Sequence, residues 1–379
     1  MNNILKPLFI LLIFILATRP IFAADVAIER NGSSHALAKL RQLHNGEAVK
    51  FRIVQLGDSH TAGSLLTDTV REILQEKWGN GGIGSNYPNK IKYQNSPLDY
   101  DNNTWLVQTS RQASGDFPMG GVFTRSQGNA PLRVNAFTGS LNAQNMAVMV
   151  KPIAAQSDLH IIDNHGKITR LFALHGDVWQ YFSFQAALPV QFVPQGNDVW
   201  EIGLIHTENQ TNRGVIFSAL GLNGAQLTQS QKWRTDWGKD LADTRANLVI
   251  LAYGTNEAFN QTLNLAETRQ YWRDVIAEIR FRLPESAILL LGAPESLADD
   301  AGWCGTRAPR LNDVQKMQQD LAQSEGVWFW SWQNAMGGVC SMKSWQNKGL
   351  AQKDGVHFTA DGYRELGKLL SKAIINIAE

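Results

Sequence analysis

Short apolar runs alternate with amphipathic stretches at both ends of the chain. Phe51-Arg52-Ile53-Val54-Gln55-Leu56 is rich in β-formers, and Leu65, Val70, Ile73 and Leu74 then give the next stretch one apolar side at helical spacing. The same rhythm returns from residue 215. Val215-Ile216-Phe217, Leu248-Val249-Ile250-Leu251, Ile288-Leu289-Leu290-Leu291 and Val327-Trp328-Phe329-Trp330 are compact apolar runs, and residues 264–283 carry the clearest helical period between them. Near-continuous apolar strands separated by helices predict a parallel sheet covered on both faces, with functional loops at the carboxyl ends of its strands. A final helix follows Thr359, a capping residue, and places Tyr363, Leu366, Leu370, Ile374 and Ile377 on one face.

Residues 85–210 read differently. Helical periods are few, and strand-like runs such as Met146–Val150, Asp158–Ile162, Leu188–Val193 and Asp198–Leu204 are punctuated by Gly, Asn and Pro every eight to twelve residues or so, the spacing of an all-β sandwich. Its place between the first strand–helix unit and the rest makes it an insertion. The expected division is therefore residues 24–84 with 211–379 as one discontinuous α/β unit, and 85–210 as the sandwich. Trp105, Trp179 and Trp200 within it are candidates for stacking on sugar rings, although aromatics at such positions more often pack a core. Trp328, Trp330 and Trp332 alternate, so they are expected on one face of a strand as a buried ladder.

The N-terminus carries a different signal. Lys6, the apolar run Leu8–Ala17 and Ala23 before a cut read as an export signal over residues 1–23, too short for a span of roughly 20 apolar residues. Loss of Lys6 and Arg19 with that segment takes the formal net charge from +1 to −1, which argues against nucleic acid or an anionic membrane as main partner. Cys304 and Cys340 are the only cysteines, and an even number in an oxidising compartment suggests one disulfide, with two packed thiols as the alternative. No Cys/His cluster or His-Glu-x-x-His run implies a metal, and no cofactor is expected. Asn31, Asn102, Asn209 and Asn260 open Asn-x-Ser/Thr triplets, idle outside a eukaryotic secretory route.

Candidate chemistry sits where the apolar strands end. Leu56-Gly57-Asp58-Ser59-His60 follows the first strand, Leu222-Asn223-Gly224-Ala225 and Tyr253-Gly254-Thr255-Asn256-Glu257 follow later ones, and Asp354-Gly355-Val356-His357 opens the last helix. A serine becomes a nucleophile when a histidine takes its proton, and that histidine needs a carboxylate to hold its tautomer. An asparagine at a strand end can donate to a developing oxyanion. Each residue also has a plainer reading: Ser59 as a helix cap, Asn256 and Gly224 as turn residues, His357 as a packed histidine. Asp354 and His357 in one tight loop, together with the joint placement of the others past strand ends, favour the catalytic reading.

Gly57-Asp58-Ser59, Gly224, Gly254-Thr255-Asn256 and Asp354-Gly355-Val356-His357 resemble, in order and context, the four blocks of the SGNH (GDSL-type) hydrolases. The resemblance covers residues 51–80 and 215–379. It implies a flavodoxin-like α/β fold, with Ser59 as nucleophile, His357 as general base and acid, and Asp354 as its orienting carboxylate. The oxyanion hole would be formed by the backbone amides of Ser59 and Gly224 and the side chain of Asn256. Glu257 stands where many members carry Asp, at a position outside the triad. The Gly57-Asp58-Ser59-His60 variant, the β-rich insertion, the Asn223-Gly224-Ala225 turn and the export signal together resemble the periplasmic peptidoglycan O-acetylesterases, whose inserted sandwich is similar to a carbohydrate-binding module. The expected activity is thus an exported serine esterase that removes O-acetyl groups from peptidoglycan, at the 6-hydroxyl of the muramoyl sugar, working as a periplasmic monomer without a membrane span once the signal is cut, with an uncleaved signal serving as a residual membrane anchor as the alternative. Two competitors share the sequence: a polysaccharide O-acetyltransferase using the same triad, and a non-catalytic wall-glycan binding protein acting through the sandwich.

Overall fold

The computed structural model describes residues 25–32, 35–101, 104–136, 143–153, 157–172, 176–196 and 198–379. The export signal expected at 1–23, and Asn102, lie outside the described residues. No described helix is long and apolar enough to cross a membrane.

Six strands form one parallel sheet in the order Trp328–Trp330, Ala287–Leu291, Leu248–Ala252, Lys50–Gly57, Gly214–Gly221 and Asn80–Gly82. Without the short Asn80–Gly82 edge, this is the flavodoxin-like strand order. Alternate side chains face opposite layers. Phe51, Ile53, Leu289 and Leu291 pack with helices Leu65–Trp78 and Ala360–Ala378, whereas Val54, Leu56, Ile288 and Leu290 pack with helices Leu265–Arg282 and Leu311–Glu325. Burial on both faces explains why these strands read as unbroken apolar runs rather than alternating ones. The chain leaves Lys50–Gly57 in one direction along the sheet and returns to start Leu248–Ala252 on its other side, so the switch point of the topology lies between those two strands.

Two antiparallel five-membered paths make up the insertion. One runs Ile168–Leu171, Leu159–Ile162, Val190–Pro194, Leu132–Ala136, Leu98–Asp101; the other Gln180–Ala187, Ala143–Ile153, Val199–Glu208, Val122–Arg125, Leu106–Thr109, with Gly84–Asn86 also paired to Val199–Glu208. Leu132, Val134, Leu159 and Phe192 from the first sheet meet Met146, Val148, Val150, Trp200 and Ile202 from the second to form the sandwich core. The outer face of the second sheet is not solvent-facing throughout: Met149, Leu204, Trp179 and Phe123 join the core that contains Val54, Leu220 and Trp233 of the parallel unit. Glu208 fixes the same junction, accepting from Arg52 Nε (2.7 Å), Arg52 Nη2 (2.9 Å) and Lys50 Nζ (3.1 Å).

Two expectations are corrected. Trp328 and Trp330 share a buried strand face, but Trp332 does not continue it: Ser331 accepts from the Asn334 amide and caps a short helix that Trp332 begins. Asp354-Gly355-Val356-His357 does not open the last helix but forms the turn before it, because Thr359 accepts from the Gly362 amide and starts the helix at Ala360.

Candidate active site

Ser59 enters its helix as the first helical residue, and Asp58 takes the cap, its Oδ1 accepting from the His60 amide at 3.0 Å. The serine hydroxyl is therefore not used as a cap, which removes the plainer reading of Ser59. The turn is held from beneath. Gln55 donates to Thr61 Oγ1 (2.9 Å), and Leu222 N donates to Gly57 O (3.0 Å). Gly57 and Gly221 are register partners, and a Cβ on Gly57 would meet Thr61 Oγ1 at 2.1 Å while one on Gly221 would meet Ala62 N at 2.2 Å. Only glycine lets the two strand ends carry this helix so close.

Folding closes a gap of 298 residues. Ser59 Oγ lies 3.0 Å from His357 Nε2, and His357 Nδ1 lies 2.7 Å from Asp354 Oδ2. The other carboxylate oxygen of Asp354 accepts from the Val356 and His357 amides, both at 2.9 Å, so a single tight turn fixes acid and imidazole together. Partial burial works to raise the Asp354 pKa, but the hydrogen bonds from the His357 ring and from the two amides outweigh it and hold the carboxyl below its usual range. The loop is braced by Leu297 N donating to Gly355 O (2.8 Å) and by Gln352 N donating to His357 O (2.8 Å).

Ser59, Gly224, Asn256 and His357 line one cleft of about 650 Å³. Among the described residues neither the Ser59 amide nor the Gly224 amide donates to a protein acceptor. Gly224 has φ +72 in its turn, as a turn glycine should, and still faces the cleft. Asn256, the second residue of helix Thr255–Phe259, donates Nδ2 to Ala225 O at 2.9 Å, which orients the amide and leaves its second hydrogen free. Unspent donors beside a serine–histidine–carboxylate chain can stabilise an oxyanion formed at that serine.

Several contributors had no role assigned from sequence. His60 is fully buried beside His357 (ring centroids 5.4 Å apart), with Nδ1 2.9 Å from Tyr363 Oη; burial, then the neighbouring His357, push its pKa down to about 3, so it stays a neutral packing partner of the catalytic-site imidazole. Glu257 accepts from Leu227 N (2.8 Å) and Gly254 N (3.1 Å), tying the Asn256 helix to the chain beyond Gly224. Burial raises both Glu257 and Asp58 to about 7. Arg111, from the insertion, lays its guanidinium against Gly224, where a Cβ would come within 2.9 Å of Nη2. Nothing in the spacing of the sequence signals that contact. Trp105, Trp179 and Trp200, by contrast, are buried: Trp105 and Trp200 in the sandwich core and Trp179 in the shared core. Cys304 and Cys340 are bridged, with Cα atoms 4.7 Å apart.

Comparison with known proteins matches residues 81–191 to the family described as peptidoglycan O-acetylesterase, N-terminal, and residues 201–365 to the GDSL-like lipase/acylhydrolase family. A solved structure described as a peptidoglycan O-acetylesterase in action is 43% identical over 93% of this chain and 99% of its own, with a TM-score of 0.87. A family two carbohydrate esterase from Cellvibrio japonicus is 10% identical (74% of this chain, 98% of its own, TM-score 0.31), and a carbohydrate acetylesterase from Sinorhizobium meliloti is 16% identical (43% and 79%, TM-score 0.32). Comparison with curated protein sequences returned no match. With that identity running through both the GDSL-type unit and the inserted sandwich, the chain belongs to the peptidoglycan O-acetylesterase family.

Proposed function

We propose that this protein removes O-acetyl groups from peptidoglycan by acyl transfer through Ser59, at the 6-hydroxyl of the muramoyl sugar and in the periplasm. The observation that carries the reading is the unbroken Ser59–His357–Asp354 chain, at 3.0 and 2.7 Å, opening on a cleft with unspent amide donors. His357 Nε2 takes the hydroxyl proton as Ser59 Oγ attacks the acetyl carbonyl carbon. The negative charge that forms on the carbonyl oxygen is received by the Ser59 and Gly224 amides and the Asn256 side chain. When the tetrahedral species collapses, the bond to the sugar oxygen breaks and His357 passes its proton to that oxygen, leaving an acetyl ester on Ser59. Water then attacks the ester with His357 again as base, acetate leaves, and Ser59 regains its proton. Asp354, held ionised by its hydrogen bonds, keeps the imidazole in the tautomer that this cycle needs and stabilises its charged form.

The test is acetate release from O-acetylated wall sacculi, with chemically de-acetylated sacculi as control. The wild type should free acetate from the first and not the second, and Ser59→Ala should free none from either. Equal release from both preparations, or retained release by Ser59→Ala, would overturn the reading.

A further inference from the structure

The segment that leads from the parallel sheet into the sandwich crosses the mouth of the Ser59 cleft and is fastened there. Asn95 donates from its backbone to Ala62 O (3.2 Å) and from Nδ2 to Gly63 O (2.8 Å), and Asn223, next to Gly224, donates Nδ2 to Tyr93 O (3.1 Å). Gln94, with its amide turned to satisfy both neighbours, donates to Gly221 O and accepts from Asn223 N, each at 3.2 Å. The backbone of residues 93–95 is thus tied to the loops that carry Ser59 and Gly224. The side chain of Tyr93 is not: it is 84% exposed, yet the residue lines the same cleft as Ser59 and His357. Its backbone has φ +63, a conformation that bulky residues adopt only where the surroundings impose it, and such residues gather at ligand clamps. Lys92 Nζ sits 4.8 Å from the ring centroid and covers one face, which leaves the other to solvent.

Beyond Leu65 and Asn95, which wall both spaces, the cleft adjoins a recess of about 340 Å³ with Ser64, Asn89 and Ser96 along its sides. The cleft and recess together have room for more than an acetyl group, and polar side chains such as Asn95, Asn223 and Gln352 line the cleft together with the unpaired ring of Tyr93. Pyranose rings present that combination, hydroxyls around the edge and an apolar face of C–H groups. We propose that Tyr93 is a saccharide-stacking residue, whose free ring face receives a pyranose of the glycan strand that bears the ester. The proposal rests on the glycan-ester reading of the Ser59 site.

Tyr93→Asn removes the ring while keeping a residue that tolerates the left-handed backbone, and Tyr93→Trp keeps a stacking face. Steady-state kinetics on O-acetylated peptidoglycan fragments and on an aryl acetate, run side by side with melting temperatures, give the readout. In Tyr93→Asn the ratio of kcat/KM on fragments to kcat/KM on aryl acetate should fall about tenfold, with the loss in KM, and Tyr93→Trp should recover most of it. An unchanged ratio, a loss carried in kcat on both substrates, or a Trp variant no better than Asn overturns the proposal. A wild type that cleaves aryl acetate but frees no acetate from the fragments strikes the glycan-ester reading itself, and this subsite with it.

Discussion

The parallel unit and the inserted sandwich treat their reactive-looking side chains in opposite ways. In the parallel unit the polar groups converge beyond strand ends: Ser59 after Lys50–Gly57 and Asn256 after Leu248–Ala252 flank the switch point, and His357 arrives from a turn before the last helix. The tryptophans that sequence offered as sugar platforms are buried instead, Trp105 and Trp200 in the sandwich core and Trp179 against the parallel unit. The sandwich's approach to the site comes from its root, through Tyr93, Asn95 and Arg111. Topology, rather than side-chain type, decides which residues face substrate. The strand ends that flank the switch point of a doubly covered sheet open onto a cleft, whereas a sandwich strand sends alternate residues into its core.

The largest effect that would sharpen this contrast lies in the parallel unit. Asn256→Ala should lower kcat on an aryl acetate by about 10²–10³, with the melting temperature held, if its amide serves the oxyanion. A loss of less than a few-fold would place Asn256 among the turn residues after all. In the sandwich the corresponding change should read as stability. Trp200→Ala empties the middle of the inserted core and should cost about 3–5 kcal/mol in denaturant unfolding, while the folded protein still cleaves aryl acetate. A kcat loss as deep as that of Asn256→Ala would erase the distinction between the two regions.

Glu208 tests the seam between them. Burial works to raise its pKa, but hydrogen bonds from His206 and Arg52 and the Arg52 charge win, and its folded pKa lies well below the ordinary carboxylate range. A depressed folded pKa means stability that is fully present above the unfolded value of about 4.5 and is lost as pH falls below it. Glu208→Gln, which leaves Lys50 and Arg52 without a carboxylate partner in a partly buried setting, should cost about 3 kcal/mol at neutral pH, and the gap to wild type should narrow as pH falls below 4.5. Asp58 and Glu257 run the other way. The folded state keeps their protons up to about pH 7, so their contribution falls as pH rises from about 4 to about 7. A Glu208→Gln gap that stays constant down to pH 3 would show that Glu208 does not act through its charge.

Much of the parallel unit was legible because its signals are local. Unbroken apolar runs such as Leu248–Leu251 and Ile288–Leu291 report burial on both faces, and Asp354 and His357 meet within one turn. What stayed hidden depends on distant packing. Trp332 continues the alternation of Trp328 and Trp330 in sequence, but the chain turns into a helix at Ser331, whose side chain accepts from the Asn334 amide and whose carbonyl accepts from the Ala335 amide. His60 reads as one more residue of the serine motif; its burial beside His357 and its contact with Tyr363 come from the last turn and the last helix, at the other end of the chain. Arg111 and Tyr93 belong to a stretch of strands and loops without a motif, and only the docking of the insertion against Asn223 and Gly224 brings Tyr93 to the cleft and the Arg111 guanidinium against Gly224.

The mechanism turns on Ser59 as the activated nucleophile and His357 as its base. A serine-directed organophosphonate ester followed by peptide mapping tests it most directly. One phosphonyl group should form on Ser59, rapidly in the wild type and orders of magnitude more slowly in His357→Ala. Labelling of a different residue, or labelling of Ser59 at the wild-type rate without His357, would contradict it.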